Sequence, residues 1–215
     1  IKDMLSTIKQ KTEDRQAALM AAALQLAAQK SPAQITTGEL AVAVGITQGA
    51  AFKHFESKEA IWMAVMQWVH AELMMRLQAA AQAHLDQGEA LGAMRAVFMA
   101  HVQFVQAQPG VPRLVFQELQ HPQPSPLKAS VQQLMVNYRQ LVHGLLLKAK
   151  ANQQLAQTVD LSAATVLFVG AIQGLVMQAL MAGHLSDVGA QAAAVYDIYE
   201  QGLMQSMPTS TRTKA

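Results

Sequence analysis

Residues 35–58 read Ile35-Thr36-Thr37-Gly38-Glu39-Leu40-Ala41-Val42-Ala43-Val44-Gly45-Ile46-Thr47-Gln48-Gly49-Ala50-Ala51-Phe52-Lys53-His54-Phe55-Glu56-Ser57-Lys58. Thr36 with Glu39 three residues on has the form of a capping box, so a helix should start there. Gly45 should end it, because a left-handed backbone is needed where the chain turns. Thr47 then caps a further short helix, expected over Gln48–His54, and Ser57 caps the next, with Glu59 in its first turn favouring the helix dipole. Two short helices around a tight turn are the layout of a helix-turn-helix, which lays a helix in the DNA major groove.

Working outward, residues 12–30 form an Ala-rich helix whose Leu19, Met20, Ala23, Leu26 and Ala27 recur on one face, and Ser31-Pro32 stops it. Downstream, a long helix runs from Ser57 to about Asp86, followed by helices at about 89–107, 111–120, 127–152, 160–183 and 188–206. Three prolines in His121-Pro122-Gln123-Pro124-Ser125-Pro126 forbid a continuous helix across that loop. The chain is therefore expected to be all-α, with about nine helices: an N-terminal three-helix helix-turn-helix domain over 1–57 and a second helical domain over 58–215. The tail 208–215 is polar and expected to fray.

The 215 residues are 52% hydrophobic, 14% charged and 5% aromatic, with no cysteine. That composition argues against disorder and excludes a disulfide framework or thiolate metal site; it is compatible with a reducing cytoplasm, the expected location. The net charge is only +2. Residues 1–58 hold seven Lys/Arg against five Asp/Glu, and residues 59–215 hold nine of each, so the excess sits with the helix-turn-helix. DNA affinity would then lean on few phosphate contacts per protomer, and on dimerisation. Residues 1–30 show no signal-peptide pattern, and a chain opening on Ile1 is expected to have its natural start upstream. Residues 161–183 carry no charge and are long enough to span a bilayer. Polar Ser162, Thr165, Gln173 and Gln178 interrupt the run and no basic cluster flanks it, so a helix buried on most sides is expected, and no membrane partner.

The chemistry sits at the start of the third helix. Gly49, Ala50 and Ala51 are small enough for close approach to a groove, and a methyl can touch thymine. Gln48 can pair with adenine in bidentate fashion, and Lys53 can reach guanine or phosphate. Thr37, Thr47, His54 and Lys58 are donors suited to phosphate oxygens. Taken singly, each has a blander role as a cap or a solvated side chain; their order and spacing together favour DNA.

The pattern Thr36-x-x-Glu39-Leu40-Ala41-x-x-x-Gly45-Ile46-Thr47-x-Gly49-x-x-Phe52-x-His54-Phe55-x-Ser57-Lys58-Glu59 resembles the signature of TetR-type transcriptional regulators over roughly residues 13–62. The resemblance implies a homodimer whose first three helices bind a double-stranded DNA operator and whose later helices bind a small-molecule effector and the partner. It places Thr36, Thr37, Thr47, Gln48, Gly49, Phe52, Lys53, His54 and Lys58 at the DNA-binding head. Phe52 stands where the family usually has tyrosine, losing a hydroxyl; Ala27 and Ser31 replace a usual phenylalanine and glycine, which suggests local repacking.

By the same resemblance, Trp62 and Met66 on the fourth helix, Met94, Phe98, His101 and Phe104 on the fifth, Met135, Tyr138 and His143 on the seventh and Phe168 on the eighth are candidate effector-binding residues. Methionines adapt to varied apolar shapes, and pockets are mostly apolar with few polar anchors; with few charges over 90–180, a neutral or apolar effector is expected. Each of these residues taken alone reads equally as core. Dimer contact is assigned to the last two helices through Val166, Gly170, Gly174, Leu175, Val195 and Leu203. Gly170 and Gly174 lie one turn apart and permit close helix approach. The expected function is a ligand-responsive regulator, by family habit a repressor, on a palindromic operator. The rival is an architectural or protein-interaction DNA binder without an effector. No cofactor or metal is expected: the histidines lack metal-ligand spacing, and no serine sits in a nucleophile-elbow setting, so an enzyme is not expected either.

Overall fold

In the computed structural model, which describes residues 2–183 and 185–204, the described residues form nine α-helices and two short 3-10 turns. They are α1 (Lys2–Gln29), α2 (Thr37–Val44), α3 (Gln48–Ala51), α4 (Lys58–Leu85), α5 (Ala90–Ala107), α6 (Gly110–Gln120), α7 (Pro126–Ala151), α8 (Leu161–Ala182) and α9 (Ala192–Met204). The all-α expectation holds. The tail 208–215, and positions 205 and 206 of the last expected helix, lie outside the described residues.

Three boundaries differ from the sequence reading. Helix α1 starts at Lys2, not near Thr12, because no glycine or proline interrupts residues 2–29. Helix α3 ends at Ala51 rather than His54. Its continuation tightens into 3-10 geometry, with Lys53 N–H on the Ala50 carbonyl at 3.2 Å and His54 N–H on Ala51 at 3.0 Å. Helix α9 starts at Ala192 because residues 185–189 take a separate 3-10 turn.

The chain divides into two compact units. The first comprises residues 1–73 and 107–135, the second residues 74–106 and 136–215. Both α4 and α7 supply residues to each unit.

In the first unit, Leu19, Ala23, Ala27, Ile35, Leu40, Ala41 and Ala51 are buried, so α1 and the short helices α2 and α3 share one apolar core. Helix α6 belongs to this unit. A Cβ on Gly110 would stand 2.2 Å from the Leu24 carbonyl oxygen and 3.2 Å from the Ala27 Cβ. The α6 backbone thus rests directly on α1, which explains the small residue at position 27: a phenylalanine there would occupy the seat of Gly110. Ser31 also works in this joint. Its hydroxyl donates to Gln117 Oε1 at 2.8 Å, and the Ala33 N–H donates to the same oxygen at 3.2 Å.

In the second unit, Phe98 (α5), Tyr138 (α7), Phe168 (α8), Tyr196 and Tyr199 (α9) form a buried aromatic cluster. Phe168 takes Phe98 edge-on at 5.3 Å and Tyr199 at 5.5 Å between ring centroids, geometries that aromatic quadrupoles favour. The buried hydroxyls find acceptors: Tyr199 donates to the Ala164 carbonyl at 3.0 Å and Tyr196 to Leu91 at 3.3 Å. Arg95 on α5 pairs with Asp197 and lies 3.5 Å from Glu200, both on α9, and stacks over Tyr196.

Helix α8 corrects a further expectation. It is long and apolar enough to cross a membrane by length and composition, yet it is not buried on most sides: only 39% of its most apolar window is buried. Ala164, Thr165, Phe168, Val169, Ile172, Val176 and Ala179 face the core, while Val166, Leu167 and Met181 on the other side are 66%, 59% and 75% exposed. The uncharged run hides two faces rather than one, which hydropathy without phase cannot separate.

Candidate nucleic-acid interface

The head is held by caps. Thr36 Oγ1 accepts the Glu39 N–H at 3.2 Å while the Glu39 carboxylate accepts the Thr36 N–H at 2.8 Å, completing the capping box. Lys30 closes on the same carboxylate from the end of α1. That pairing, then the bonds from Thr36, hold the Glu39 carboxyl down at about 2. Gly45 ends α2 at φ 70°, ψ 34°, a left-handed conformation that a side chain would strain. Thr47 Oγ1 accepts the Ala50 N–H at 3.2 Å and starts α3.

Helix α3 then divides cleanly by phase. Ala51 is 1% exposed and anchors the helix inward. Gln48, Gly49, Phe52 and Lys53 are all exposed. At spacings of three and four residues they share one side of the turn. Among the described residues, no atom outside the adjoining residues and the helix's own backbone lies within 4 Å of a Cβ placed on Gly49. The face therefore carries an amide, a bare backbone, an aromatic ring and an ammonium, with no carboxylate among them.

The other expected DNA-binding residues sit around it. Thr36 is exposed but committed to the capping box, and Thr37 is half-buried at the first position of α2. Thr47 is exposed as the α3 cap. His54 is half-buried; Gln16 Nε2 donates to its carbonyl at 2.9 Å, and its Nδ1 is enclosed with no partner among the described residues. Lys58 Nζ donates to the Ala33 carbonyl at 3.3 Å, which takes one of its three donors. One exposed apolar residue was not singled out from sequence: Val42 on α2 is 79% exposed. Its phase, two residues past buried Leu40, was the available signal.

The expected effector residues scatter over several environments. Trp62 and Met66 belong to the first unit, 4% and 0% exposed. Trp62 lines a cleft there with Pro32, Leu114, Glu118 and Leu127. Met135 is half-buried in the same unit. In the second unit Phe98, Tyr138 and Phe168 are brought together in the aromatic cluster, and His101 joins them with Nδ1 at 3.0 Å from the Tyr138 hydroxyl. Burial pushes His101 down to about 4 and Tyr138 well above the ordinary phenol range. Met94 is fully buried, Phe104 lies under the Arg76 guanidinium, and His143 Nδ1 lies 3.3 Å from the Thr165 hydroxyl.

Of the expected dimer residues, Val166, Gly170 and Gly174 are exposed on α8, Leu175 and Val195 are half-exposed, and Leu203 is buried. Beside them a groove between α8 and α9 is lined by Ala163, Leu167, Ala171, Val195, Ile198 and Gly202.

Residues 19–65 match the family of "Bacterial regulatory proteins, tetR family". The chain is 23% identical over 164 residues to nucleoid occlusion factor SlmA of Photobacterium profundum, covering 76% of this chain and 82% of that protein. Among solved structures, the transcriptional regulator FadR of Bacillus subtilis in complex with stearoyl-CoA superposes with a TM-score of 0.73 at 17% identity, covering 86% of this chain and 98% of that one. A TetR transcriptional regulator from Chloroflexus aurantiacus superposes with a TM-score of 0.75 at 17% identity, over 89% and 97% of the two chains.

Proposed function

We propose that the chain, whose residues 19–65 match the tetR family of bacterial regulatory proteins, is a ligand-responsive repressor of that family that binds a palindromic operator as a homodimer and is released by a small apolar effector. The observation that carries the DNA half is the exposed, carboxylate-free side of α3, fixed by the Thr36 and Thr47 caps and the Gly45 turn. Gln48 and Lys53 supply the hydrogen-bonding groups suited to base edges; Thr37, Thr47, His54 and Lys58 surround them as phosphate donors. In this reading residues 1–57 read the DNA, and residues 58–215 carry the effector site and the dimer contact.

The dimer reading is supported by the open apolar face of α8 and α9. Val166, Leu167, Met181 and Ile198 are each at least 59% exposed, more large apolar surface than an isolated helix pair normally leaves in water. Two heads joined there would read half-sites about 34–36 Å apart. An effector weakens DNA binding only if it binds better to a form of the dimer with another spacing. An effector with an apolar segment is supported by the fold likeness to a regulator that holds stearoyl-CoA, whose acyl chain is apolar; in this reading the His101–Tyr138 pair and His143 are its polar anchors. The test is selection of bound duplexes from a random pool. A two-fold site should enrich; enrichment of none overturns the proposal.

A second reading is favoured by the sequence match to a nucleoid occlusion factor over most of that protein's length: a DNA binder that needs no small effector. A thermal-shift screen of apolar compounds, followed by DNA titration with each hit, separates the two. A compound that both raises the melting temperature and loosens the operator supports the effector reading.

A further inference from the structure

Phe52 is 45% exposed at the end of α3, and among the described residues its ring stacks on no other aromatic side chain. A large apolar ring left in water next to a helix built to approach DNA requires an account. It cannot donate to phosphate, because phenylalanine has no hydroxyl. It shares its side of the turn with Gln48 four residues before and Gly49 three residues before. Gly49 leaves open space at that point, so a base pair can come close to the ring without meeting another side chain. The one base-edge group in the major groove that suits an apolar ring is the thymine C5 methyl. We infer that Phe52 is a specificity-determining residue that reads a thymine methyl in each operator half-site. Gln48 reads an adenine within about two base-pair steps, since four helical residues rise about 6 Å.

The inference rests on the DNA-binding reading and separates from it by experiment. A duplex enriched from the random pool is remade with each thymine replaced singly by uracil, which removes the methyl and keeps the pairing and hydrogen-bonding edge. In the full-length protein, one thymine per half-site should lose about fourfold in affinity on conversion to uracil, and about fifteenfold when both half-sites are converted. Phe52→Ala should bind the thymine duplex more weakly and lose the uracil penalty at that position alone. Phe52→Leu, still apolar, should keep part of it. Phe52 is a surface residue, so melting temperatures of both variants should stay near that of the parent. A uniform response of the parent protein to uracil at every thymine overturns the inference while leaving DNA binding intact. So does an undiminished penalty in Phe52→Ala. Failure of any duplex to enrich removes the DNA reading itself, and this inference with it.

Discussion

Two titratable residues make opposite use of their surroundings. Glu39 is held ionised by Lys30 and the Thr36 cap, at about 2 instead of 4.5. A carboxylate lowered in the folded state contributes stability that is complete above its unfolded value and is lost as pH falls from about 4.5 toward 2. Glu39→Gln keeps an acceptor for the cap and does not titrate, so its melting temperature should fall less between pH 6 and pH 3 than that of the parent; parallel curves would contradict the assignment. His101 is held neutral by burial, at about 4 against 6.5. The unfolded chain takes up this proton first as pH drops, so stability should decline from pH 6.5 to about 4. His101→Gln should flatten that part of the urea-unfolding profile, because glutamine can still bond to Tyr138 but cannot charge.

At the scale of elements, the sequence was most informative where local chemistry decides the structure. Thr36 with Glu39, Gly45, Thr47 and Ser57 each act on their own few residues, and the helix-turn-helix was legible from them. Helix α4 was placed to within about a residue for the same reason. The end of α3 departs from the local pattern because Lys53 and His54 donate to carbonyls three residues back, a tightening that residue periodicity does not show. Helix α8 was misjudged because its exposed and buried sides are both apolar. That symmetry carries a prediction. Leu167→Arg with Ile198→Arg places charges on the open face without disturbing the buried one. Sedimentation equilibrium should then show a monomer that retains its helical circular dichroism; an unchanged dimer would move the interface elsewhere.

For the molecule as a whole, sparse charge sets the terms of DNA binding. With an excess of two basic residues confined to positions 1–58, each protomer neutralises few phosphates, and affinity should depend on two heads acting together. Lys58→Ala should weaken all duplexes about equally and reduce the slope of log affinity against log salt by about one per protomer. A change in sequence preference instead would mean that Lys58 reads bases. The effector residues were the least legible part. A methionine or phenylalanine at helical spacing fits core and pocket alike, and the fold uses Phe98, Tyr138 and Phe168 as packed core.

The seating of Gly110 on Leu24 and Ala27, with Gln117 accepting from Ser31 and Ala33, bears on how portable this head is. A graft cut after residue 57 would leave behind the helix that completes its rear wall. It should refold poorly, exposing Leu24 to water and freeing the linker at 31–33. A chimera that carries residues 1–73 together with 107–135 keeps that wall and should melt as a single cooperative step.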